Sequence, residues 1–190
     1  QNSDFEKSIW VQMVSSDTLD SISSEGQTDA FRMLKAQRLV TQKKTQAALE
    51  SIEAVNANSP LFGEKTYFEA QWTYRSGQLE PALRLLEKAL SENPNLFKGV
   101  DLTAKSQLLL GRLYFQMREF QKAFSAYRSV PKESPLWPLA MQEQALTQIL
   151  FQDFEGAAGN MFTLHTDFFK KSFSPESYVI RSVGYLNLCQ

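Results

Sequence analysis

One cysteine and one histidine are all that the 190 residues offer for thiol or imidazole chemistry, which leaves no internal disulfide and no clustered His/Cys metal set. Cys189 has no partner for an internal disulfide, which leaves the redox compartment open. His165 is followed by Asp167, a pair that could orient a base, but the sole thiol lies 24 positions on and no third member accompanies them. His165 therefore reads as a surface or helix-end residue. The chain shows no HExxH, no paired CxxC, no phosphate-cradling glycine loop and no Asp-rich calcium loop, so no catalytic residue, metal or cofactor is expected. Long apolar runs are also missing. The triplet Leu108, Leu109, Leu110 is cut by Gly111 and Arg112, far short of the ~18 residues that cross a bilayer. Nor does one sign of charge prevail: the formal net charge is −1, and basic residues pair only at Lys43-Lys44 and Lys170-Lys171. Nucleic acid normally demands a broad basic face, so neither it nor a membrane span is expected.

What the chain does have is a period. Ala48 and Ala82 lie 34 residues apart, as do Pro60 and Pro94, and Ala123 and Ala157. A fixed interval of this length means stacked helix pairs, each unable to bury its apolar side alone. The small residues fall in two rows, Ala36, Ala70, Gly111 and Ala145 along the first helices and Ala48, Ala82, Ala123 and Ala157 early in the second. Paired helices approach to ~8–10 Å, and small facing side chains permit the closest contacts. Leu39, Ile52, Leu86, Tyr114 and Tyr127 supply the volume between. Ser59-Pro60, Asn93-Pro94 and Ser134-Pro135 end successive units, because proline forces its predecessor out of the α region. Tight turns fall at Gln42–Thr45, Gly77, Arg118-Glu119 and Gln152-Asp153. The step from Pro94 to Pro135 is 41, so an insertion is expected over 95–103.

Two ends stand apart. Phe5, Ile9, Trp10, Met13 and Val14 have the spacing of an amphipathic helix, followed by a Ser-rich linker, over residues 1–27. This helix is expected to cover the open end of the first repeat. At the other end, Ser174-Pro175-Glu176 opens a helix whose Tyr178, Val179, Ile180, Val183, Tyr185, Leu186, Leu188 and Cys189 are apolar on nearly every side. Such a helix is normally buried, and its outer side is expected to meet further chain, a second copy or a partner. A start at Gln1 rather than Met favours a removed leader and so a periplasmic or secreted setting, with the cytoplasm as alternative.

The pattern resembles the tetratricopeptide repeat family, with its 34-residue period and Leu-Gly…Tyr…Ala…Phe…Pro signature. Leu110-Gly111, Tyr114, Ala123, Tyr127 and Pro135 match best. Repeats are expected at about 29–62, 63–96, 104–137 and 138–171, with a terminal helix over 175–190. The resemblance implies an all-α, right-handed superhelical solenoid of antiparallel helix pairs whose first helices line a concave groove for a protein or peptide.

By repeat position that groove would display Met33, Gln37, Val40 and Thr41; Glu64, Tyr67, Gln71, Tyr74 and Arg75; and Lys105, Leu108, Arg112, Phe115 and Gln116. Rings give rigid contact area, while amide and guanidinium groups bond carbonyls or a carboxylate. In the fourth repeat Leu139, Gln142, Leu146, Ile149 and Leu150 look too apolar for open groove and are expected under the terminal helix. A subfamily that grips chaperone C-terminal carboxylates is not matched: Met33, Phe68 and Leu109 replace its Lys, Asn and Arg, and only Lys105 agrees. The expected function is a non-enzymatic interaction scaffold within a larger assembly. The alternative is an oligomerisation module that associates through the 175–190 helix.

Overall fold

The structure, a computed structural model, describes residues 28–92, 99–172 and 174–189. The helix and linker expected over 1–27 lie outside these residues, as does the Asn93-Pro94 joint. The described residues contain nine α-helices, one 3-10 turn and no strand. They are α1 (Asp29–Thr41), α2 (Thr45–Glu53), α3 (Phe62–Arg75), α4 (Leu79–Glu92), α5 (Val100–Gln116), α6 (Phe120–Arg128), α7 (Trp137–Leu150), α8 (Phe154–Leu164), the 3-10 turn Asp167–Ser172, and α9 (Pro175–Leu188). They fall in two compact units divided between Lys65 and Thr66.

In the first unit α1 packs on α2 through Ala36, Ala48 and Ile52, all 0% exposed. Arg32 ties the pair together, bonding Asp29 at 2.9 Å and the Ala54 carbonyl at 3.2 Å. In the second unit consecutive helices from α4 to α9 pack together, and so do α5 with α7 and α7 with α9. Ala70, Ala82 and Leu86 share one buried cluster with Ala104, Leu113 and Ala123. All seven expected alanines are 0% exposed, and Gly111 is buried. A β-carbon on Gly111 would collide with the Tyr127 ring, which shows why only glycine sits there.

Four turns carry the period into backbone geometry. Lys43, Gly77, Arg118 and Gln152 have φ of 62°, 81°, 62° and 68°. These positions are separated by 34, 41 and 34 residues. At each, the left-handed residue's N–H bonds the carbonyl three back, and the next N–H bonds the carbonyl five back (Lys44 to Leu39, Gln78 to Thr73, Glu119 to Tyr114, Asp153 to Gln148). This pair of bonds satisfies carbonyls that a helix end otherwise leaves open. The proline joints repeat as well: Ser59 Oγ accepts from Leu61 N at 3.3 Å, and Ser134 Oγ from Leu136 N at 3.1 Å.

Part of the insertion is helix. α5 has 17 residues where α3 and α7 have 14, so its first turn is extra. The terminal helix reaches α7 but packs mainly on α8. Ser177, Ile180 and Gly184 are its buried side. Gly184 lies on α8, where a β-carbon would stand 3.3 Å from the Phe154 carbonyl and 3.4 Å from Ala158. Ile180 joins Met141, Ala145 and Met161. Because α9 leans on α8, it leaves Leu139, Leu146 and Leu150 of α7 38%, 41% and 47% exposed. The expectation that it covers this face holds only in part: Ile149 packs against the cluster that Ile180 enters, and the three leucines stay open.

Candidate functional site

Among the expected groove residues, the structure gathers seven around one cleft of about 270 Å³ in the second unit: Tyr67, Gln71, Tyr74 and Arg75 from α3, and Lys105, Leu108 and Arg112 from α5. Leu109, Leu136 and Leu139 complete its wall. The helical repeat explains the gathering. Residues 67, 71 and 74 share one face of α3, and 105, 108 and 112 one face of α5.

Three cations line this cleft and no acid does. Arg112 is committed elsewhere: its Nε and Nη2 grip the Glu143 carboxylate of α7 at 3.0 and 2.5 Å. That pairing holds its guanidinium above the ordinary range, against a smaller opposing effect of burial. Lys105 bonds Asp101 at 2.5 Å, an exposed pair of small energetic weight that also places a carboxylate near Tyr67. Arg75 is exposed at the rim of the cleft. The phenols are held in place too. Tyr67 OH accepts from Gln71 at 3.2 Å, and Tyr74 OH accepts from Gln116 at 2.8 Å. Burial pushes the Tyr67 phenol up, so it stays a neutral donor at all ordinary pH.

The remaining expected residues are placed otherwise. Leu108 reaches the cleft wall but is 5% exposed, so it is core rather than displayed surface. Phe115 packs edge-on against Phe120, ring centroids 5.7 Å apart. Gln116 serves Tyr74. Met33 and Gln37 lie in the first unit, Met33 buried at 5% and Gln37 exposed. Sequence reasoning missed the Glu143 partner of Arg112. The signal was its offset of 31, which sets it about one repeat further on.

A second cluster surrounds His165, the residue that ends α8. Its Nε2 lies 2.8 Å from Ser177 Oγ, the separation of a nucleophile–base pair. The rest of the geometry makes it structural. Ser177 is 2% exposed and donates its own proton to the Ser174 carbonyl at 2.6 Å. Ser177 Oγ must therefore accept from Nε2–H, which leaves Nδ1 to accept from Arg181 at 3.0 Å. The ring stacks on Tyr178 with centroids 3.8 Å apart, and Arg181 lies over Phe162 and Tyr185. Burial first, and then Arg181, depress the imidazole's proton affinity.

A third network fixes α7 to α8. Asp153 caps α8 by accepting from Gly156 N at 3.0 Å, and also accepts from Gln148 at 2.5 Å. The buried Gln148 in turn accepts from Asn160 at 2.6 Å. Among the described residues, no three His, Cys, Asp or Glu side chains gather as a metal would require. No described helix is long and apolar enough to cross a membrane.

No family model, curated protein or solved structure matches the chain.

Proposed function

We propose that the chain is a non-enzymatic scaffold of tetratricopeptide type, an array of antiparallel helix pairs winding as a right-handed solenoid, that holds a peptide or protein segment along its first helices. The observation that carries this reading is the cleft between α3, α5 and the start of α7. It presents two tyrosines, a glutamine and three cations from rigid adjacent helices, with leucines at its base. Rigid phenols lose little conformational freedom on contact, and oriented N–H donors suit backbone carbonyls and carboxylates. The four equivalent turns and two rows of buried small residues support the repeat assignment.

The test is capture of partners followed by reconstitution with the purified partner. Wild type is compared with a Tyr74→Ala, Arg75→Glu double variant. Tyr74 packs on the core cluster of the second unit, so helicity and melting of the variant are measured beside wild type. A partner that binds wild type directly and is lost by the folded variant supports the reading. Equal binding by both sinks it.

A second reading rests on a separate observation. Tyr178, Val179, Tyr185, Leu186 and Leu188 of α9 are 44–66% exposed. A helix this apolar on its open side suits self-association. Sedimentation over a hundredfold range of concentration separates the readings: an unchanging monomer mass removes this one.

A further inference from the structure

The polar contacts that tie α9 to the end of α8 work only with a neutral imidazole. His165 ends α8, and Ser177, Tyr178 and Arg181 of α9 close around its ring. Ser177 has given its proton to the Ser174 carbonyl, so toward the ring it can only accept. Nδ1 carries no proton and accepts from the Arg181 guanidinium at 3.0 Å. A proton added at Nδ1 removes that acceptor and sets two cations against each other at hydrogen-bond distance. The charges around the ring offer little to offset this. Glu176, in the first turn of α9, is engaged by the Ser174 hydroxyl at 2.6 Å. Asp167 of the 3-10 turn is exposed and screened by solvent. The carbonyls that end α8 favour one cation, and Arg181, lying over Phe162 of the last turn, already supplies it. On the rest of α9, Tyr178 stacks on the ring and Tyr185 OH lies 3.5 Å from Arg181.

We propose that α9 is a pH-operated latch: with His165 neutral it closes the apolar end of α7 and α8, and one proton on the imidazole releases it in mildly acidic medium. What it closes is core. Ile180 enters the cluster of Met141, Ala145, Ala157 and Met161, and Gly184 lies on Ala158. The opposite side of α9 is open, with Val179 and Leu186 64% and 66% exposed, so no second face holds it in place. Burial and then Arg181 lower the proton affinity of His165 in the closed state, so the open state binds the proton better. The latch is therefore complete above the ordinary imidazole pKa and weakens as pH falls below about 6.5 toward the folded value. A single proton is taken up, so the open fraction rises by no more than about tenfold per pH unit. Carboxylates titrate below this window, and Glu176 is held lower still by its Ser174 bond. The latch does not depend on what the cleft holds.

His165 is the chain's single histidine, so its ring C–H resonance needs no assignment. Its titration is followed by NMR between pH 8 and 5, and amide protection of residues 175–188 is measured over the same range, with α5 as reference. Wild type should titrate below 6.5, and protection of α9 should fall over the same interval while α5 keeps its own. His165→Gln should leave α9 protection level through that interval. Arg181→Gln, which removes the charge and keeps an amide donor, should move the titration upward. A wild-type titration at or above 6.5 overturns the proposal. So does α9 that is unprotected at pH 8, or a loss of protection that occurs equally in His165→Gln. Where either variant already opens α9 at pH 8, the wild-type chain decides alone: midpoints of titration and protection that coincide support the latch, and midpoints that differ overturn it.

Discussion

Gly111→Ala should destabilise the protein, although the same change in an open helix does the opposite. Alanine in a helix interior is favoured over glycine by about 0.5–1 kcal/mol. At Gly111 the added methyl meets the face of Tyr127, a ring 3% exposed in the core of the second unit. Tyr127 cannot swing away cheaply, because its hydroxyl bonds Glu143, which is itself held by Arg112. Overpacking of a tight core costs about 1–3 kcal/mol. The net effect should be a loss of up to about 2.5 kcal/mol, or up to about 10 °C in melting temperature for a chain of this size. Gly159 is the internal control. It lies inside α8 with no neighbouring atom within 4 Å of an added β-carbon, so Gly159→Ala should gain about 0.5–1 kcal/mol. Urea unfolding followed by circular dichroism measures both. The reasoning is refuted if Gly111→Ala stabilises as much as Gly159→Ala, since the close approach of α5 and α6 would then not exist.

Ser106 is 0% exposed and its hydroxyl has no hydrogen-bond partner, so Ser106→Ala should stabilise by about 1 kcal/mol; an unchanged urea midpoint would mean that the hydroxyl is satisfied. Lys43, Arg118 and Gln152 hold a backbone conformation that glycine adopts without strain, and each replacement by Gly should raise stability by about 0.5–1 kcal/mol, as Gly77 already allows in its turn. His165 is neutral in the fold and its pKa is lowered from the usual 6.5, so the folded state binds the proton less well than the unfolded one. Its contribution is complete above the unfolded pKa and is lost as pH falls below about 6.5 toward the folded value. Tyrosine fluorescence of the α9 region against pH should report this loosening, and His165→Gln should flatten that part of the curve.

The helices and their core faces were legible because they follow from sterics at a fixed period. The alanines at 36, 48, 70, 82, 123, 145 and 157 are small where helices touch, and each is fully buried. The turns were located for the same reason, but their left-handed conformation was readable only at Gly77. Lys43, Arg118 and Gln152 carry no such preference, and the fold imposes it on them. Position within a repeat shows which face of a helix a side chain occupies, yet not how far a neighbour overlaps it. Met33 and Leu108 were therefore placed on open surface when both are core. Arg112 showed the same limit. Its partner is on another helix, and nothing local announces that a cation already holds a carboxylate. The terminal helix does reach α7 through Ile180, but its apolar content does not reveal that Gly184 draws most of it onto α8.

The recurring turn has a kinetic consequence. Both of its hydrogen bonds close between residues no more than five apart, so the reversal of each hairpin can form before any neighbour is in place. Loop closure over so short a span is fast, and contacts confined to nearby helices keep the mean sequence separation low. Nucleation is therefore open to more than one hairpin, with growth outward from whichever forms first. By the same logic α9, packed on one side only, should be the element that opens and exchanges its amides soonest.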